Sequence, residues 1–194
     1  MEGTDERPRV HAETTGQWRT WLDEHHAASA GVWLVSWKKQ TGRPAMTYAD
    51  SVTEALAFGW VDSKGNKLDD DRTMLWFSPR RPKSAWSRPN KERVARLLDE
   101  GRMTPAGQRM VDLAKATGTW EFLDDVENLV VPDDLAAALA ARKGAREHWD
   151  AFPRSVRRGV LEWVLQARRP ETRQRRVTET ADRAARGERA NQWR

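Results

Sequence analysis

The chain has 194 residues, with 34 basic and 29 acidic side chains, a net charge of +5 and no cysteine, which excludes disulfides, thiolate nucleophiles and Cys-ligated zinc. That length fits one domain, or one domain with a helical appendage, and buries well over half of its unfolded surface without such staples. The first twenty residues lack an apolar signal core and no window approaches ~18 apolar residues, so a soluble cytoplasmic protein that touches no membrane is expected.

Residues 1–13 show no periodicity and read as an extended lead-in. Thr14-x-x-Gln17 then has the form of a capping box, and Trp18, Trp21, Leu22 and His25 follow on one helical face. Gly31 leads into Val32–Trp37, whose aromatic and β-branched residues predict a strand, closed by the turn residues Thr41 to Pro44. Thr47-x-x-Asp50 announces a second helix carrying Val52, Ala55 and Leu56 inward and stopping near Gly59. Trp60–Lys64, a Gly65-Asn66 turn and Thr73–Phe77 predict two further strands. Pro79, Pro82 and Pro89 keep Arg80–Arg88 out of helix and ladder, so an ordered loop is expected there. Helices are then predicted at Asn90–Glu100, 105–117, 132–141, 144–151, 154–168 and 171–186, with Val160, Trp163 and Val164 as core. The fold class is α+β: a small antiparallel sheet packed with helices over residues 14–130, then a helical C-terminal module over 131–194.

The charge is unevenly placed. From Gln166 to Arg194 nine arginines face four acids, and the rest of the chain is balanced. A helix with Arg173 and Arg176 on one side could track phosphates, or simply be solvated; Trp163 and Trp193 are the tail's two aromatics, so base-stacking platforms are scarce.

The densest chemistry lies between Phe58 and Asn90. Arg80, Arg81 and Lys83, with the hydroxyls of Ser84 and Ser87, precede a helix N-terminus, and each element suits an anion. A structural use competes: Ser87 as helix cap, and Arg80 or Arg81 paired with Asp69, Asp70 or Asp71. Asp62 and Ser63 sit at a predicted strand end where a carboxylate could serve as general base, and Trp60 and Trp86 could wall a planar ligand, stack on an arginine, or be core. Asp62 to Asp71 departs from a calcium loop, since Lys64 takes the third position and Gly65 the fourth. The four histidines do not fall at ligand spacing either, so no metal or cofactor is expected. Ser84 and Ser87 lack the G-x-S-x-G setting of a nucleophile.

The ordered motifs GVWLVSWKKQTGRPAMTY, EALAFGWVDS, LWFSPRRPKSAWSRPNKERV, EGRMTPAG and VLQARRPETRQRRV resemble the bacterial YdeI/OmpD-associated proteins, often labelled bacteriocin-protection proteins. The resemblance covers roughly residues 14–180. Two departures are Ala57, where Cys is common, and Arg168, where Lys is common. The label implies a link to antimicrobial resistance and supplies no reaction. The expectation is a protein that binds a small anionic, planar ligand through Arg80, Arg81, Lys83, Ser84 and Ser87, between Trp60 and Trp86 and beside Ser63. Asp62 is the polar partner and, if the ligand is turned over without metal, the base. The alternative is a nucleic-acid or acidic-protein adaptor acting through the Arg-rich C-terminal helix.

Overall fold

The capping box at Thr14 forms: Thr14 Oγ1 accepts from the Gln17 N–H at 3.2 Å, and Gln17 Oε1 accepts from the Thr14 N–H at 3.3 Å, which starts α1 (Thr15–His25). The computed structural model describes residues 7–191 and divides into two units after Glu121. Trp193, one of the tail aromatics, lies outside the described residues.

In the first unit, β1 (Arg9–His11), β2 (Val32–Trp37), β3 (Trp60–Lys67) and β4 (Arg72–Pro79) form one sheet in the order β1-β2-β4-β3. The pairs β2/β4 and β3/β4 are antiparallel, but β1 runs parallel to β2, so the sheet is mixed rather than purely antiparallel. Three residues with no alternation to show left β1 without a sequence signal. The hairpin turn is also displaced from Gly65-Asn66, which continue β3 opposite Leu75 and Met74. The chain reverses at Asp69 instead, whose Oδ1 accepts from the N–H groups of Asp71 (3.0 Å) and Arg72 (2.7 Å). Hydrogen bonds from Arg72 hold the Asp69 carboxyl below its ordinary range.

Alternation along the strands divides the sheet. Val32 and Leu34 of β2 and Phe77 of β4 are buried under α1, α2 (Tyr48–Ala57), α3 (Arg88–Asp99) and α4 (Pro105–Ala116), with Trp18, Leu22, Leu56, Trp60, Trp86 and Leu97. Trp33, Val35 and Met74 make a smaller cluster on the other face, where the Arg7 guanidinium lies over Trp76 at 4.6 Å.

The start of α4 is clamped to the end of α2, and a glycine makes the approach possible. Thr104 Oγ1 donates to the Ala57 carbonyl at 2.6 Å, and a Cβ on Gly107 would stand 2.3 Å from that same oxygen. A backbone carbonyl held by two donors cannot swing away as a side chain can. Gly107→Ala is therefore expected to destabilise the unit by ~1–3 kcal/mol, seen as a lower urea midpoint at unchanged m-value.

The second unit is helical: α5 (Asp124–Glu127), α6 (Asp133–Ala140), α7 (Ala145–Ala151), α8 (Arg154–Leu165) and α9 (Pro170–Ala185). Leu135, Leu139, Trp149, Val160, Leu161, Val164 and Val177 are among its buried residues. Trp163, expected in that core, is half-buried with the Arg176 guanidinium 4.9 Å from its ring.

Candidate functional site

The end of α2 aims the site. Gly59 takes φ +74 after Phe58, turning the chain straight from helix into β3, and its carbonyl accepts from the Arg80 N–H at 2.9 Å. Trp60 and Asp62 thereby share one face of β3. Trp60 is core: its Nε1–H donates to the His26 carbonyl at 3.3 Å and its ring meets Trp21 edge-on. Asp62, opposite the buried Phe77, lies two residues further along that face and is only partly covered. Between Asp62 and Gly65 the register shifts, so Ser63 and Lys64 oppose a single residue of β4 and Ser63 is exposed.

Arg80 is the chemical centre of the loop after β4. It is 5% exposed, its guanidinium carbon stacks 3.9 Å from the Trp86 ring, and its Nη2 donates to the Ala85 carbonyl. Nε and Nη1 are buried without a hydrogen-bond partner. Desolvation pushes this guanidinium down to about 10, with the charge of Asp62 pulling the other way, so Arg80 is charged at neutral pH. Trp86 in turn packs against Trp120, 5.1 Å between ring centroids. Neither Trp60 nor Trp86 therefore offers an open face to a planar ligand: one is sealed in the core and the other is covered by Arg80.

The loop separates the remaining cations. Arg81 and Lys83 are exposed, and Ser84 is half-buried with its N–H on the Arg81 carbonyl at 2.9 Å. Ser87 stands at the N-cap of α3 without a side-chain cap bond, its carbonyl accepting from Asn90 and Lys91. Nor does either arginine pair with Asp69–Asp71; Asp69 binds Arg72, and Asp70 binds Lys67 at 2.7 Å.

Two residues that sequence reasoning did not select complete the cluster. Tyr48, the first residue of α2, donates its hydroxyl to Asp62 Oδ2 at 2.9 Å. Partial burial raises this phenol's pKa, as does the Asp62 hydrogen bond, while the charge of Arg93 lowers it. Arg93, on α3, is bonded to the neutral Asn90 Oδ1 at 3.0 Å. The chain's single tyrosine, placed beside a capping threonine and left more than half exposed, was the available signal. Beside Tyr48 opens a cleft of about 290 Å³ between the sheet and the start of α2.

The basic tail is used differently. Arg173 Nε donates to Asp134 Oδ2 at 2.7 Å, Arg176 donates to the Trp163 carbonyl, and Arg183 pairs with Glu179 at 3.0 Å. Both arginines that share the predicted face of α9 are thus engaged within their own unit. Among the described residues no group of three or more His, Asp or Glu is placed to hold a metal ion, and no helix is long and apolar enough to cross a membrane.

A mixed sheet under four helices, with a buried arginine beside a Tyr-Asp pair, characterises the first unit. Residues 10–110, just over half of the chain, match the family described as Domain of unknown function (DUF8412), and the chain belongs to it. Residues 128–187, within the helical unit, match the family described as Bacteriocin-protection, YdeI or OmpD-Associated. No curated protein and no solved structure matches the chain.

Proposed function

We propose that the first unit binds a small anion, with Arg80 as its anchor and Asp62 as the polar partner that orients it. The observation that carries this reading is the Arg80 guanidinium: 5% exposed, with two buried nitrogens unpartnered. A buried charge without full hydrogen bonding destabilises the fold, and a bound carboxylate or phosphate oxygen is the partner such N–H groups lack. Nη2 already holds the Ala85 carbonyl, so entry requires the Arg81–Trp86 segment to shift. Arg81 and Lys83, exposed on that segment, would raise the local anion concentration without touching the bound ligand.

The C-terminal match connects the helical unit with bacteriocin protection, and in this reading that unit is an accompanying module. The adaptor alternative draws less support, because Arg173 and Arg176 are occupied within the unit.

Titration with sodium acetate, sodium benzoate and inorganic phosphate tests the proposal, read by tryptophan fluorescence because Trp86 lies against Arg80. At least one is expected to give a saturable change, and for the two carboxylates, ionised throughout, that change is flat between about pH 6 and pH 9, since Arg80 keeps its proton below about 10. No response from any of the three overturns the reading.

A further inference from the structure

The Tyr48 hydroxyl is bonded to the Asp62 carboxylate, and two arginines act on that pair. Arg80 and Arg93 carry two positive charges and Asp62 one negative. Neither arginine is ion-paired: Arg80 bonds the Ala85 carbonyl and Arg93 the Asn90 side-chain amide oxygen. The fields of both reach the Tyr-Asp pair, Asp62 acting on Arg80 and Arg93 on Tyr48. Two guanidiniums without a bonded carboxylate therefore lie near Tyr48, which itself lines the cleft.

The cleft has a different character. Leu34, Ser36 and Leu75 of the sheet form its floor, with Met46, Tyr48 and Ser51 opposite. The hydroxyl of Ser51 is turned onto the Tyr48 carbonyl at 2.8 Å, which leaves the interior mainly apolar. At about 290 Å³ it sits at the lower edge of the ~300–1,000 Å³ usual for small-molecule sites. That is room for one ring or a short branched chain, and too little for a nucleotide or a peptide.

Resting on the anion reading above, we infer that the ligand is a compact monoanion with an apolar body, of the class of aromatic or branched-chain monocarboxylates. Its body occupies the Leu34–Leu75 cleft and its carboxylate lies at the Tyr48 rim, on the side of Arg93, and meets Arg80 once the Arg81–Trp86 segment has shifted. Tyr48 is then a positioning and specificity residue. Its ring forms the wall between cleft and charges, and its bond to Asp62 fixes that wall. Asp62 disfavours a dianion by repulsion, which leaves one carboxylate as the charge the site accepts.

The test compares sodium benzoate with sodium acetate, which lacks the body, and benzyl alcohol, which lacks the charge, by calorimetric titration of the full chain. Benzoate is expected to bind at least about tenfold more tightly than either. Ser36→Leu, which fills the cleft, should bring benzoate down to the acetate level and leave acetate unchanged. Tyr48→Phe, an exposed and near-isosteric change, should weaken benzoate severalfold without moving the melting temperature, and serves should Ser36→Leu fold poorly. Equal binding of acetate and benzoate, both lost in Arg80→Met, overturns the cleft and leaves the anion reading intact. Benzyl alcohol binding as well as benzoate, or benzoate unaffected by both cleft variants, also overturns it. Anion binding untouched by Arg80→Met removes the reading on which the inference rests.

Discussion

Arg80→Met is expected to abolish anion binding, by at least about a hundredfold, while costing the protein no more than about 1 kcal/mol of stability and at best raising it. Methionine follows the same path over Trp86 and makes a favourable sulfur–ring contact there, so the volume and the aromatic packing survive. What disappears is a charge that is 5% exposed and has two nitrogens without partners. Such a group opposes folding at neutral pH. Its folded pKa of about 10 lies below the ordinary guanidinium value, so the unfolded chain binds the proton more tightly, and the penalty holds below about 10 and fades as pH rises from there toward that ordinary value. Against the gain stands the Ala85 carbonyl, which loses the Nη2–H and costs about 1 kcal/mol. The balance runs from a loss of about 1 kcal/mol to a gain of ~1–4 kcal/mol, the upper end being what replacing a whole buried ion pair by apolar residues of similar volume brings. Urea denaturation alongside fluorescence titration separates the two effects. A variant that unfolds much more easily yet binds anions unchanged would show that the guanidinium serves the loop rather than a ligand.

Part of this site is legible in the sequence because it is local. Asp62 and Arg80 lie at facing ends of one hairpin, β3 and β4, and the prolines around Arg80 mark a segment that cannot continue the ladder. What composition cannot assign is the use of each aromatic ring. Trp60 and Trp86 look alike in a polar, ring-rich run, yet one ends under α1 against Trp21 and the other under a guanidinium. Their fates depend on α1 and on Trp120, which are distant in sequence. Tyr48 and Arg93 were missed for the same reason: each sits on a helix whose local pattern is complete without it, and only packing of α2 against the sheet and against α3 brings Tyr48 to Asp62 and the charge of Arg93 to bear on Tyr48. The fold reads more easily than the site because capping boxes and apolar faces repeat. Where one three-residue strand, β1, carries no repeat, its parallel pairing escapes the pattern.

The largest loss of stability is expected from removing both arginines that meet Glu54. This carboxylate is 2% exposed in the middle of α2, on a helix whose neighbours Val52, Ala55 and Leu56 are core. Arg19 of α1 reaches Glu54 Oε2 at 2.8 Å and Arg102, after α3, reaches Oε1, while Arg19 also donates to the Arg102 carbonyl at 2.9 Å. Three segments are thus tied at one buried charge. The arrangement is asymmetric: the side chains of Arg19 and Arg102 are about a third or more exposed and can turn to water when Glu54 is removed, but Glu54 cannot leave the core when they are removed. The double variant Arg19→Met/Arg102→Met therefore strands a buried carboxylate and should cost about 3–5 kcal/mol. Glu54→Gln keeps the shape and one hydrogen-bonding oxygen, and should cost only about 1–2 kcal/mol. Urea unfolding of the two variants measures the difference directly. Equal losses would mean that Glu54 is reached by water and that α1, α2 and the α3–α4 connection are held by their apolar contacts alone.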